Sequence, residues 1–301
     1  MKTSFGRIGG VVVVLAMLLW SSSARGGIPA KIIENFEAAS NESTPLGITD
    51  GNPLAATAVF ANSMYRQLGF HLAQPKNLDL SIDASYGNFS SGGVHDGHFA
   101  TTDLSLGFSF GDRVGLLATI PVGYRDTSGA KVYMGGFGLA VPIVLSEDKF
   151  RWTLSPWVLG GFIDGSDLAQ GGAQGGGGAT SLVSFALAPD HALKLSMANE
   201  ACYLAGQPFG YNSAFNFEQN VSQIILKNGL ELSGELSKSF QAYGSITYTN
   251  LMKDAFVDSY WTPEVGVRFR LGHFNAAVEA FGDFGDRYSG YGARATLSLQ
   301  W

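Results

Sequence analysis

The stretch Asn77-Leu-Asp-Leu-Ser-Ile-Asp-Ala-Ser-Tyr-Gly-Asn-Phe89 decides how the chain is read. Leu78, Leu80, Ile82, Ala84 and Tyr86 share one parity; Asp79, Ser81, Asp83 and Ser85 share the other. A period of two places successive side chains on opposite faces of a strand, whereas a helix repeats every 3.6 residues. The same alternation continues over 100–110, where Leu104, Leu106, Phe108 and Phe110 form the apolar face. Over 113–124 that face holds Val114, Leu116, Ala118, Ile120, Val122 and Tyr124. Further strands are predicted near 132–145, 149–163, 179–188, 192–203, 221–236, 240–250, 260–271, 273–284 and 290–301, which makes twelve with the first three. Most are close to the ~9–11 residues that cross a bilayer at a tilt, and about twice the ~5–6 of soluble proteins.

The connections alternate in length. Tight ones contain Gly111-Asp112, Ser146-Glu147-Asp148, Pro189-Asp190, Ser237-Lys238-Ser239 and Gly272. Between them fall longer loops, predicted at 90–97, at the Gly-rich 164–178 and at 204–220. Short turns at one end and long loops at the other are the pattern of a transmembrane meander closed into a barrel. Aromatic residues sit on the apolar parity at two levels. Tyr86, Tyr124, Tyr133, Tyr203, Tyr248, Trp261 and Tyr291 mark the long-loop end; Phe108, Phe110, Phe240, Phe269, Phe274 and Trp301 mark the short-turn end. Two aromatic belts are expected where a lipid-facing wall meets the two membrane interfaces. A soluble sandwich would gather its aromatics in mid-strand.

Two segments fit less cleanly. The 149–163 segment has bulky Trp152, Leu154, Trp157 and Leu159 on both faces. The 221–236 segment contains Asn228-Gly229, a hairpin signal. A turn there would leave arms too short to span, so one long strand with a bulge is expected.

Composition agrees with a membrane wall. Charged residues are 15% of the 301, against a typical ~25%, and too few for a soluble surface of ~25–35% charge. Hydrophobic residues at 46% exclude an intrinsically disordered chain. Glycine is abundant at 40 residues. The net charge of −6, with no basic run, excludes the footprint of a nucleic-acid binder. Cys202 is the single cysteine, so no internal disulfide is possible.

Residues 1–24 read as a secretory signal peptide. Lys2 and Arg7 precede an apolar run from Ile8 to Trp20, and Ser22 and Ala24 give a small-x-small cleavage pattern. The run would rise only ~20 Å as a helix, too short for a ~30 Å hydrocarbon core. Beyond it no apolar stretch reaches the ~18 residues of a spanning helix, so a membrane-embedded mature chain must be a closed barrel. Residues 25–76 precede the barrel. Asn52-Pro53 resembles a helix start, and Leu54, Ala58, Ala61, Tyr65, Leu68 and Leu72 follow a 3–4 spacing. A short amphipathic helix is expected at 53–69, as a plug in the barrel or a periplasmic cap; an extra strand pair is the third option.

The last strand carries Tyr291, Ala293, Ala295, Leu297, Leu299 and Trp301 on one parity and ends on that tryptophan. It resembles the C-terminal signal that bacterial outer-membrane proteins present to their assembly machinery. Tyr291, Leu297, Leu299 and Trp301 are therefore the expected assembly-signal residues. A looser resemblance covers 99–145. The runs Phe110-Gly-Asp-Arg-Val-Gly-Leu-Leu-Ala-Thr-Ile-Pro-Val-Gly-Tyr124 and Gly135-Gly-Phe-Gly-Leu-Ala-Val-Pro-Ile-Val-Leu145 look like the outer-membrane transporters grouped under the meta pathway of phenol degradation. That resemblance implies a narrow channel for small solutes, aromatic or apolar compounds among them. The long-chain fatty-acid transporters are a related family, with longer members.

If the apolar parity faces lipid, the other lines the lumen. Asp79, Asp83, Asp103, Arg125, Lys194, Glu231, Glu235, Arg268, Arg270, Glu279 and Arg294 are the candidate pore-lining residues. Arg113, Glu200, Lys227, Glu264 and Asp283 share their parity. Such a lining is either a weakly cation-preferring filter or a set of ion pairs that stiffens a filled lumen. Arg268 and Glu279 fall on adjacent strands near a diagonal and are a candidate pair. Twelve strands lie between the eight that side chains fill and the sixteen that leave a water channel, so side chains and any plug decide conduction.

Enzyme signatures are thin. His95-Asp96-Gly97-His98 has metal-like spacing but no visible third ligand and falls in an expected loop. No Gly-x-Ser-x-Gly elbow occurs, and Gly136-Phe-Gly138 lacks the helix a dinucleotide site needs. Cys202 reads as a small strand residue. The chain is expected to be a non-enzymatic, cofactor-free channel of the Gram-negative outer membrane, passing small solutes passively. Its expected partners are membrane lipid, the barrel-assembly machinery and the solute, with no nucleic acid. The alternatives are a non-transport barrel, as adhesin, structural protein or membrane enzyme, and a secreted soluble β-sandwich.

Overall fold

In a computed structural model, residues 65, 78–91, 95–127, 130–147, 150–165, 172–188, 192–208, 221–252, 259–286 and 288–300 are described. The expected signal peptide, Trp301 and the proposed helix at 53–69, except Tyr65, lie outside the described residues. The chain forms β1 (Leu78–Ser91), β2 (His95–Phe110), β3 (Val114–Thr127), β4 (Ala130–Ala140), β5 (Ile143–Ser146), β6 (Arg151–Gly165) and β7 (Gly172–Ala186). It continues with β8 (Leu193–Pro208), β9 (Val221–Ser237), β10 (Phe240–Met252), β11 (Ser259–Leu271), β12 (Phe274–Gly285) and β13 (Tyr288–Gln300). Apart from β4 and β5, which do not pair with each other, strands adjacent in sequence pair antiparallel, and β1 also pairs with β13, which closes the sheet. The closing register runs from Asp79 opposite Gln300 to Ser91 opposite Tyr288.

β4 and β5 are two halves of one barrel strand, since both pair with β3 and β6. The break is at Val141-Pro142, where proline has no N–H to give to the ladder. The carbonyl of Pro142 still accepts from Gly115, and Val141 N–H still donates to Pro156. The barrel is therefore a twelve-stranded up-and-down meander, as the alternating pattern predicts. Closure leaves no unpaired edge, the condition for a sheet to sit in hydrocarbon.

Burial follows parity around the wall. Ile82, Leu104, Val122, Val158, Val265, Val278 and Leu297 are exposed on the outside, while Asp83, Asp103, Thr119, Thr180, Glu231 and Glu279 are buried on the inside. Apolar-out and polar-in is the inverse of a soluble protein and matches a lipid-facing wall around a polar lumen. The aromatic levels also form. Tyr124 packs on Tyr133 with centroids 5.2 Å apart, Tyr248 on Trp261 at 4.7 Å and Phe240 on Phe269 at 5.0 Å.

Several expected boundaries move. The Gly-rich 164–178 segment is not a loop throughout: β7 begins at Gly172 and carries Gly175 to Gly178 within the wall. Runs of glycine read as loop by composition, but ladder hydrogen bonds from β6 and β8 on both sides order them. β1 extends to Ser91, β2 begins at His95 and β8 extends to Pro208, so the loops expected at 90–97 and 204–220 are shorter. The His95–His98 motif therefore lies in β2, not in a loop. His98 takes the outer side, between the rings of Tyr86 and Tyr124. β9 pairs through Asn228-Gly229 without a register shift on either side, so the expected bulge is absent there; the irregularity lies at Phe240/Gln241. In β6, Trp152, Pro156 and Val158 face out, whereas Trp157 and Leu159 face in and are buried.

Candidate functional site: a paired charge belt in the lumen

Period-two geometry turns the polar parity of every strand toward one axis, and the register of adjacent strands decides which charges meet. All eleven candidate lining residues lie on the inward parity. Asp83, Asp103, Glu231, Glu279 and Arg294 are buried; Asp79, Arg125 and Arg268 are half-buried; Lys194, Glu235 and Arg270 are exposed toward the ends.

Three cationic centres organise the belt. Arg268 of β11 grips Glu231 of β9 across the intervening β10, with Nη2–Oε2 at 2.6 Å and Nη1–Oε1 at 3.0 Å. Its Nη1 also reaches Gln241 Oε1 at 3.3 Å, and its guanidinium stacks over the Tyr243 ring at 3.9 Å. A planar fork matched to a carboxylate is the strong form of such a pair. Arg294 of β13 pairs with Glu279 of β12 and with Glu264 of β11, the latter at 3.2 Å. The expected Arg268–Glu279 pair does not form. Glu279 stands directly opposite Arg294, while Arg268 has the length to skip a strand to Glu231.

Lys227 of β9 and Glu200 of β8 stand directly opposite and approach to 3.8 Å. Lys227 is only 2% exposed. Thr180 of β7 donates to the other Glu200 oxygen at 2.9 Å. Thr262 donates to Asp283 at 2.6 Å and Thr296 to Asp83 at 2.7 Å. Asp83 and Asp103 are directly opposed on β1 and β2. Arg125 lies over the Phe89 ring at 4.0 Å near the long-loop end.

Tyr65, from the segment before the barrel, is inside the wall and 5% exposed. Its hydroxyl donates to the Ala198 carbonyl of β8 at 3.2 Å, and Lys227 Nζ lies 5.0 Å from its ring centroid. Thr247 of β10 is within hydrogen-bonding reach of the same hydroxyl. The middle of the lumen is thus filled by paired charges, hydroxyls and this ring. Toward the short turns the lumen opens into a cavity of about 140 Å³. Asp79, Asp83, Arg268, Arg270, Gln241 and Asn275 are among its lining.

Parity alone already places Glu200, Lys227 and Tyr243 inside. The closeness of Lys227 to Glu200, and of Tyr243 to Glu279, depends on register and is not legible before the strands are aligned. Tyr65 carries no strand signal at all.

No family model and no curated protein matches the sequence. Solved structures do match by fold. The β-domain of the Bordetella autotransporter BrkA superposes with a TM-score of 0.63 at 14% identity, covering 75% of this chain and 100% of that one. The translocator domain of the autotransporter NalP from Neisseria meningitidis gives 0.55 at 14% identity, covering 82% and 98%. An outer-membrane channel from Pseudomonas putida F1 gives 0.52 at 11% identity, covering 75% and 95%. These likenesses are to the architecture, and they include channel and translocator barrels alike. The chain therefore has the closed, twelve-stranded antiparallel fold of outer-membrane β-barrels, with its charge turned inward.

Proposed function

We propose that this protein is a passive outer-membrane channel for small solutes, narrowed at mid-height by the paired charge belt and by Tyr65. The supporting observation is the inner wall itself. A barrel that only needed to be stiff could fill its lumen with apolar side chains; this one keeps acids, bases and hydroxyls inside and opens at one end into a cavity whose lining includes Asp79, Arg268 and Arg270. Such a wall replaces the hydration of a polar solute as it passes. The resemblance over 99–145 implies aromatic or apolar solutes; the hydroxyl- and charge-rich wall favours polar ones. In this assignment the Tyr65 ring obstructs the lumen at mid-height, and the protein has no catalytic role. Lipid covers the outer face, and the outward row Tyr291, Leu297 and Leu299 with terminal Trp301 serves recognition by the assembly machinery, after export by a cleaved signal peptide.

Refolded protein in planar bilayers is expected to show discrete current steps, and proteoliposomes are expected to swell in small polar solutes. No current from the wild type and none from a Tyr65→Ala variant would instead favour a closed, non-transport barrel, the alternative that the filled mid-lumen supports.

A further inference from the structure

The cavity at the short-turn end is unlike the belt above it, because some of its charges are not used up. We infer that it is a binding site for a small zwitterion with well-separated charges, such as an ω-amino acid, the cationic end meeting Asp79 and the carboxylate meeting Arg270. As a solute-selecting site it rests on the channel assignment; as a binding site it does not.

The acid wall is β1. Asp79 turns inward there and accepts from Gln300 Nε2 at 3.1 Å through Oδ2 alone. Its other oxygen, Oδ1, is buried and has no hydrogen-bond partner. A carboxylate oxygen buried without a donor is costly; a turn of the Asp79 side chain toward the cavity it lines would present that oxygen to a ligand ammonium, which supplies the missing hydrogen bonds. The base wall is β11. Arg268 is already held by Glu231 and Gln241. Two residues nearer the turn, Arg270 lines the same cavity, and its guanidinium has no ion-pair or hydrogen-bond partner among the described residues. Glu235 of β9 lies on the rim of that wall and is not paired to it.

The spacing selects the ligand. β12 and β13 lie between the two walls, and Arg270 is in register with Ser81, so Asp79 and Arg270 are three strand steps and two residues apart, roughly 16 Å along the sheet at ~4.8 Å per step and ~3.3 Å per residue. The long arginine side chain covers part of that span. A chain of several carbons spans that gap more fully than an α-amino acid, whose charges are adjacent. Asn275 and Ser298, on the floor between the walls, offer hydrogen bonds along its length. The cavity volume suits one molecule of that size.

Calorimetric titration of the refolded full-length barrel in detergent tests the site with four probes: 6-aminohexanoate, hexanoate, hexylamine and glycine. 6-Aminohexanoate is expected to bind about tenfold more tightly than either singly charged analogue, one charge-assisted contact being worth about that factor. Glycine is expected to bind no better than those analogues. Asp79→Asn should remove the advantage over hexanoate, and Arg270→Gln the advantage over hexylamine, in barrels whose heat-modifiable gel mobility shows that they have folded. Equal binding of the three six-carbon probes, or an unchanged preference in both folded variants, would overturn the site. Bilayer conductance of the same preparations separates the two claims. Selective binding without current keeps the site and sinks the channel; current without selective binding does the reverse.

Discussion

Tyr243 of β10 donates its phenolic hydrogen to Glu279 of β12 at 2.5 Å, reaching over the whole of β11. What lies beneath is Gly266, which stands opposite Tyr243 on one side and opposite Glu279 on the other. The absent side chain of Gly266 is what lets the ring lie flat against the wall. Glu279 then takes its second partner, Arg294, from β13. One glycine therefore connects the phenol, the acid and the base across four strands.

Gly266→Ala follows from this geometry. A Cβ there would meet the Tyr243 ring at 2.5 Å and the Glu279 Cβ at 2.8 Å. The ring must move, and its hydrogen bond with it. The expected loss is about 1–3 kcal/mol, the usual cost of overpacking, read as a lower midpoint in denaturant unfolding of the refolded barrel. The same change at Gly135, where a Cβ would meet nothing within 4 Å, should cost less.

Removing half of the Lys227–Glu200 pair should be worse than removing both. Lys227→Met would leave the Glu200 carboxylate buried beside the Thr180 hydroxyl and the Trp157 indole with no cation, and destabilise by about 3–5 kcal/mol. Adding Glu200→Gln removes the uncompensated charge and should restore most of that loss. Unfolding midpoints of both single variants and the double variant measure the coupling. Simple additivity would show that the pair is not energetically linked.

The two faces of one strand should respond oppositely to charge. Val278 of β12 is exposed on the outer wall. Val278→Arg is expected to cost about 2–4 kcal/mol if it lies near the bilayer midplane, and to slow or block folding into lipid vesicles. Asn275, three residues away on the inward parity, faces the polar cavity. Asn275→Arg should fold into the same vesicles close to normally. Matching folding yields for the two would contradict a lipid-facing outer wall.

Tyr65→Ala removes the hydroxyl that donates to Ala198 and the ring beside Lys227. Single-channel conductance is expected to rise severalfold, with the folded barrel's gel mobility unchanged. Tyr65→Phe keeps the ring but loses the hydrogen bond, and should raise conductance less. An unchanged current in both variants would show that the ring does not obstruct the path.

Much of this molecule was legible in the order of its residues. Alternation at 77–89 and in eleven later segments is a local property, and hydrocarbon outside with water inside forces it on any transmembrane barrel strand. Strand number, the inward parity of all eleven candidate residues and the two aromatic levels follow from it. Structure departs from the local pattern where local signals and ladder pairing disagree. Glycines 175–178 have no strand propensity of their own, yet β6 and β8 hold them in the wall. Asn228-Gly229 carries a turn signal, yet two continuous neighbours keep it straight.

Register and reach were settled only in three dimensions. Parity put Arg268, Glu231, Glu279 and Arg294 inside, but which acid meets which base depends on strand stagger and side-chain length summed across the closed sheet. Hence Arg268 bridges β10 to Glu231, and Glu279 goes to Arg294. The same holds for Tyr65, brought against Ala198 across 133 residues of sequence, and for the cavity between Asp79 and Arg270. By itself the sequence determined that a barrel forms and which way its charges point, because those depend on period-two alternation along each strand. Tertiary structure alone decided which charges neutralise each other and which stay unpaired, because that depends on closure.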